Sequence, residues 1–298
     1  MEESIDKDKI KKAIEKSGYL EEQKAINEFE KVGFFTGANY AFEDQDEHRS
    51  REVDFIATKY TEFTFGKTGF YFFAYGEVKK KSDPLIFFER KPQMQESLEL
   101  YIPVVATQQS FTNIDIGLDI QKIFNFKKIH HQTQHELIST QFCVVDQAKV
   151  KAEHMDLHES LFVPLLKCVD SEMQSIGKYT EFFDPLHPTY FLNIFQPIIV
   201  ISGPLCSYDV YNGEIIEKGY IIYKRHYSSS SVKRTLLIDI VSMKYLQQYL
   251  SDKLTKTYQA FEDTMRKNID LVLDYCSKDR EAQDLKVKEI LTKQGDEA

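Results

Sequence analysis

The stretch Tyr190–Ser202, which ends F-L-N-I-F-Q-P-I-I-V-I-S, is an almost continuous apolar run that stops at Gly203-Pro204. Such a run has no polar side to give to water, so it suits a β-strand buried on both faces. Its most apolar part, residues 198–201, is far shorter than the roughly 20 residues needed to span a bilayer. A doubly covered strand needs structure on either side of its sheet, and the chain has the material for it. Its 298 residues suffice for one large or two small domains with a well-buried core. Hydrophobic residues make up 42% and charged ones 29%, with only 12 Gly and 8 Pro, which excludes a disordered, collagen-like or low-complexity chain. Phe and Tyr number 22 and 17 and Trp is absent, so aromatics are expected to carry much of the core.

Along the chain the hydrophobic period changes. Ile5, Ile10 and Ile14 among lysines and acids predict a short amphipathic helix over residues 5–16, broken at Ser17-Gly18. Leu20, Ala25, Ile26, Phe29 and Val32 predict a second helix, with Gly33 as its stop. The period then falls from 3.6 to 2, and residues 39–42, 52–57 and 70–79 predict three strands. Residues 81–150, punctuated by Pro84, Pro92 and Pro103, read as an elaboration on the core. Leu157, Leu161, Leu165, Val169, Met173 and Ile176 predict a helix over 155–176, kinked or restarted at Pro164. Residues 219–227 and 232–242 predict two more strands after the buried one, and from Met243 the pattern is helical nearly to the end. There Leu250, Leu254, Tyr258, Phe261, Met265, Ile269, Val272 and Cys276 form a seam, for packing within the chain or for a dimer helix. No repeat of 20–50 residues is visible, which excludes a solenoid or propeller.

Three residues of the strand-rich segment carry recognisable chemistry. Asp54 stands in R-E-V-D-F-I, and Glu77 and Lys79 in Y-G-E-V-K. Side chains two apart on a strand share a face, so Glu77 and Lys79 project together. An antiparallel hairpin turning between Phe65 and Gly69 sets Asp54 opposite residues 77–81. Two carboxylates and one ammonium then meet at one end of the sheet. Carboxylate oxygens from Asp54 and Glu77 suit Mg2+, which keeps several waters and takes one or two protein carboxylates. Such a metal lowers the pKa of a bound water and screens a phosphate, while the Lys79 ammonium can orient that water or stabilise charge on phosphorus.

In the order of these residues the chain resembles the PD-(D/E)xK, or restriction-endonuclease-like, nuclease superfamily, most of all its Mrr-like and Holliday-resolvase-like branches. The likeness rests on a helix carrying Glu22, eleven residues before Gly33-Phe34, then E-V-D ending at Asp54, then G-E-V-K ending at Lys79. The resemblance implies an α/β fold, a mixed central sheet flanked by helices in an α-β-β-β-α-β core. It places a nuclease-like domain at 1–242, with core segments 18–80 and 153–242 and an elaboration at 81–152, and a helical extension at 243–298. It further implies a metal-dependent endonuclease that hydrolyses DNA phosphodiester bonds, in defence or repair, with Glu22, Asp54, Glu77 and Lys79 in the active site. Asp54, Glu77 and the backbone carbonyl of Val78 would hold Mg2+ or Mn2+; Lys79 would position the attacking water and Glu22 would assist through a second metal or a water. Gln141 is a further candidate near that site. The chain departs from the family pattern in lacking a Pro before Asp54 and in the length of residues 81–150.

The residues alone leave other readings open. Asp54, Glu77 and Lys79 could form a surface salt-bridge ladder, and Glu22 could be an ordinary first-turn glutamate. A non-catalytic nuclease-fold module for binding or assembly, and a nuclease active only within a larger complex, are the alternatives. His154 and His158 stand four apart, but Met155 occupies the place where a zinc helix needs glutamate, so they read as solvent-facing. His130, His131 and His135 read as a polar loop or helix surface. The formal charge of −9 repels polyanions, so contact with nucleic acid falls to local basic groups. These are Lys79-Lys80-Lys81, Arg90-Lys91, Lys127-Lys128, Lys224-Arg225 and Lys233-Arg234, the last two flanking a Ser-rich loop. Four scattered cysteines without a CxxC, and a charged N-terminus without an apolar signal core, predict a cytoplasmic protein with reduced thiols and no membrane contact.

Overall fold

The change of period at Gly33 is a change of structure. Helices α1 (Lys7–Lys16) and α2 (Tyr19–Lys31) precede it, and Gly33 takes φ +82°, the left-handed conformation that ends a helix without a Cβ clash. Three antiparallel strands follow: β1 (Phe35–Asp44), β2 (Arg49–Thr64) and β3 (Thr68–Lys80). They outrun their apolar cores because the polar flanks also pair across the hairpins, Asp44 with Arg49 and Thr64 with Thr68. The computed structural model describes residues 5–64, 68–93, 103–108, 111–134, 137–153, 158–176, 190–229, 233–276 and 280–296.

The elaboration becomes β4 (Leu85–Arg90), β5 (Val104–Gln108), β6 (Phe111–Asn113), α3 (Ile114–Ile123), α4 (Phe126–Ile129), β7 (Ile138–Asp146) and β8 (Lys151–Glu153). A π-helical turn, His158–Phe162, leads into α5 (Val163–Ser175). Pro164 sits in the first turn of α5, where its missing N–H has no helical partner to lose. The apolar run forms β9 (Tyr190–Ser202), and β10 (Leu205–Asp209), β11 (Ile215–Glu217), β12 (Tyr220–Ser228) and β13 (Lys233–Ser242) complete the strands. The chain closes with α6 (Leu246–Tyr249), α7 (Thr255–Lys267), α8 (Ile269–Cys276) and α9 (Arg280–Asp296).

The protein is α/β, built on one mixed sheet in the order β1-β2-β3-β9-β13-β12-β7-β4-β10-β11. β9 runs parallel to β3 along its whole length, Thr68 beside Tyr190 and Lys80 beside Ser202. Its side chains divide between two cores, as an apolar run on both parities requires. Ile198 and Val200 join α2 residues Ala25, Ile26 and Phe29, with Phe55, Phe72 and Val78. Ile199 and Ile201 face α5, where Leu165, Leu166, Val169 and Met173 pack with Tyr75 and Phe195. Each fully buried Phe or Leu contributes roughly 1.5–3 kcal/mol.

The C-terminal seam is spent within the chain. Leu250, Leu254, Tyr258, Phe261, Met265 and Val272 enter the same core as α2, so of the two uses open to the seam these residues serve packing within the chain. The Tyr258 hydroxyl lies 2.6 Å from the Thr61 hydroxyl on β2. β4 and β7, which the sequence left unassigned, pair with each other and run parallel to β10 and β12 respectively. Among the described residues, no helix is long and apolar enough to cross a membrane.

Candidate active site

Glu22, Asp54, Glu77 and Lys79 are brought together at one end of the sheet. Phe55 and Gly76 form the last rung between β2 and β3. Beyond it the two strands part, and Asp54 stands one residue past the rung. The alternation of faces breaks at this point: Phe55 and Ala57 enter the α2 core, yet Val53 joins the α5 core. Across on β1, Asn39 takes φ 50°, a conformation that Asn tolerates better than most residues. Released from the pleat, the Asp54 carboxylate accepts a hydrogen bond from the Val78 N–H at 2.6 Å. A residue's N–H and C=O point to the same side of its strand, so the Val78 carbonyl opens onto the same gap. Gly76 is needed here, because a Cβ at that position would overlap the Phe55 ring.

Next to Gly76, Glu77 is 4 % exposed, and two residues further on Lys79 keeps about a third of its side chain in solvent, its Nζ 3.6 Å from the Glu77 carboxylate. The Glu77 pKa is raised from 4.5 to about 8, chiefly by burial and next by the Asp54 charge, with Lys79 only partly offsetting both. Asp54 is also raised, chiefly by burial, against the opposing pull of the Val78 N–H, Lys79 and a hydrogen bond with Glu77. Glu77 therefore favours its protonated form at neutral pH, beside the Asp54 carboxyl. Glu22, on the first turn of α2, is raised by burial and then by Asp54, and lowered by Lys79. Its charge in turn acts on Glu77. Its neighbour Glu21 has a different task, accepting from the Ser202 hydroxyl at 3.2 Å and pairing with Lys24 at 2.9 Å, which ties α2 to the end of β9.

Two buried carboxyls, one raising the pKa of the other, with a main-chain carbonyl beside them, form a donor set that fits a hard divalent cation. Among the described residues, no three or more His, Cys, Asp or Glu side chains converge into a ready-made metal cluster. The site offers two clustered carboxyls and a carbonyl, within the range Mg2+ accepts when water and substrate complete its shell.

Other expected residues lie elsewhere. Gln141 is on β7, separated from β3 by β9, β13 and β12, so it is not part of the site. The basic hairpin joining β12 to β13 points away: Ser228 pairs with Lys233 at its tip, whereas the opposite end of β13, residues 239–242, adjoins β9 beside Glu77 and Lys79. Arg234 is moreover paired with Asp170 at 2.9 Å. Lys80 donates to the Glu15 carbonyl at 2.6 Å, fastening α1 close to the site. His154 and His135 lie outside the described residues.

His130 and His131 correct the surface reading outright, for both are buried. His131 Nε2 lies 2.6 Å from Asp239 Oδ2 and its Nδ1 2.9 Å from the Thr257 hydroxyl. Gln132 donates to Asp239 Oδ1 at 2.8 Å, and the Tyr249 hydroxyl donates to Asp239 as well. These bonds hold the fully buried Asp239 ionised against the cost of burial. The network joins residues 130–132 and two C-terminal helical segments to β13. The signal for it was Asp239 standing alone in the apolar run L-L-I-D-I-V: a lone acid there needs buried donors.

No protein-family model matches the chain, and neither a curated protein nor a solved structure does.

Proposed function

We propose that this chain is a divalent-metal-dependent endonuclease of the restriction-endonuclease-like kind, acting on DNA. One observation carries the reading: Glu22, Asp54, Glu77 and Lys79 converge where β2 and β3 part, with the carboxyl pKa values raised by burial and, for Glu22 and Glu77, by neighbouring carboxylates as well. The element order α2-β1-β2-β3-α5-β9, with β9 parallel to β3 and the helices on opposite faces, supports the fold assignment.

Asp54, Glu77 and the Val78 carbonyl are the groups that would hold Mg2+ or Mn2+. The ion supplies a bound water of lowered pKa and neutralises charge on the scissile phosphate. The chain's own residues do the rest. The Val78 N–H fixes one oxygen of Asp54 and so orients its carboxylate toward the gap. Lys79, the partly exposed cation, orients the attacking water and stabilises charge on the phosphate oxygens. Glu22, whose raised pKa favours proton uptake, accepts a proton through a water or helps hold a second ion. The thiols of Cys143, Cys168 and Cys206 are unpaired, in keeping with a cytoplasmic setting.

The test is incubation of the purified chain with linear, circular and branched DNA, single-stranded DNA and RNA, each with Mg2+, Mn2+ or EDTA. Cutting of DNA that requires metal and is lost in Asp54→Ala and Lys79→Ala, while both variants keep their fold, is the expected result. Absence of cutting with either metal, or cutting that survives both substitutions, would overturn the reading.

A further inference from the structure

The hairpin between β10 and β11 bears an apolar surface at the far end of the sheet from the carboxylates. Val210, Tyr211, Ile215 and Ile216 are 48, 65, 65 and 42 % exposed. Among the described residues β11 is the last strand of the sheet, paired only with β10. Its inward groups are identified by two hydrogen bonds: the Lys218 N–H donates to the Leu205 carbonyl, and the Asp209 N–H to the Glu214 carbonyl, each at 2.9 Å. Residues 214, 216 and 218 thus direct their main-chain groups toward β10. By alternation, the N–H and C=O of Ile215 and Glu217 point outward. Soluble proteins rarely leave an edge with consecutive bare isoleucines open to water.

We propose that β11 pairs antiparallel with β11 of a second copy of this chain, about a two-fold axis at Ile216. A two-fold contact must be self-complementary, and the sequence Glu214-Ile215-Ile216-Glu217-Lys218 has that property in one register. With the axis at Ile216, the outward groups of Ile215 meet those of the partner subunit's Glu217, and the reverse, so all of them are satisfied. On one face Glu214, Ile216 and Lys218 meet Lys218, Ile216 and Glu214 of the partner subunit, with opposite charges at both ends and apolar contact between. An axis at Ile215 or at Glu217 would break both Glu214–Lys218 pairs, whereas the axis at Ile216 keeps them and leaves the isoleucine-to-glutamate contacts to the Ile215–Glu217 pairs of the other face. Lys218 already pairs with Glu89, 2.9 Å away, so the partner subunit's Glu214 would share this ammonium with Glu89. Pairing consumes the same edge on both copies, which closes the assembly at a dimer instead of a fibre. This inference does not depend on the catalytic reading.

The full chain is to be followed by sedimentation velocity over about 1–100 µM, a range that brackets modest interfaces. The parent chain is expected to shift from monomer to twice the monomer mass. Ile216→Lys sets like charges across the axis, and Ile215→Pro removes an outward N–H that the chain itself does not use. Both variants are expected to keep the parent circular dichroism and to remain monomeric throughout. Facing residues in a non-hydrogen-bonded rung lie about 4.5 Å apart at Cα, within disulfide reach. Ile216→Cys is therefore expected to cross-link on mild oxidation well above both the parent chain and Ile215→Cys. A monomeric parent at 100 µM would overturn the proposal, as would folded Ile216→Lys and Ile215→Pro variants that still dimerise. A dimer in which Ile216→Cys cross-links no better than Ile215→Cys would also overturn it.

Discussion

Glu77 is ionisable, buried and next to another carboxylate, and only Lys79 pulls the other way. Its unfolded pKa is the ordinary 4.5 and its folded value about 8. Between those limits the folded chain holds a proton that the unfolded chain has released. The associated stability is full below about pH 4.5 and is lost as pH rises through 8. Glu77→Gln, which carries no charge to bury, is expected to exceed the parent in metal-free stability at pH 9 by on the order of 2 kcal/mol. The gap should close as pH falls toward 5. Thermal unfolding at the two pH values checks this, and a variant less stable than the parent at both would contradict it. Gly76 is constrained sterically: Gly76→Ala drives a methyl into the Phe55 ring, and a loss of about 1–3 kcal/mol in denaturant unfolding is expected.

At the scale of elements, α5 is fastened over the β1–β2 hairpin by a buried charge cluster. Lys167 donates to both Asp44 oxygens at 2.8 Å and lies 3.2 Å from Asp46, while Arg51 approaches Asp44 from the strand at 2.6 Å. Lys167→Met leaves Asp44 buried with one cation fewer, and a cost of about 3 kcal/mol is expected. Faster hydrogen exchange in β1 and at the start of β2 would accompany it; unchanged exchange there would show that the hairpin is held otherwise. The elements legible in the sequence are those whose burial pattern is local. α2 shows Ala25, Ile26 and Phe29 at helical spacing, and β3 and β9 are apolar on both parities, their side chains divided between the two cores. The carboxylate site was legible for the same reason, since Glu77 and Lys79 lie on one strand and a single hairpin sets Asp54 beside them. β4 and β7 were illegible because each finds its partners far away in the chain: with each other, with β10 and with β12. Asp239 and His131 escaped for a similar reason, being separated by more than a hundred residues yet meeting through one short hydrogen bond.

For the whole molecule, the net charge of −9 repels nucleic acid, and the basic tip of the β12–β13 hairpin lies at the far end of β13 from the site. Attraction near the carboxylates falls to Lys79, Lys80 and Lys81. DNA binding is expected to be weak and to fall steeply with salt. Lys81→Ala should lower the slope of log affinity against log salt by about one, as loss of a phosphate contact does, whereas Lys233→Ala should leave it unchanged. Fluorescence anisotropy at several salt concentrations separates the two, and the opposite pattern would move the nucleic-acid surface to the hairpin.

The most direct test of the site is calorimetric titration of the metal-free chain with Mn2+ at pH 7 and pH 9, each in two buffers of different ionisation enthalpy. If Asp54 and Glu77 hold the ion, binding at pH 7 releases about one proton, because Glu77 must ionise first. The release should nearly vanish at pH 9, where Glu77 is already charged, and Asp54→Ala should abolish the site. Binding that releases no proton at pH 7, or that persists unchanged in Asp54→Ala, would contradict a metal centre at the parting of β2 and β3.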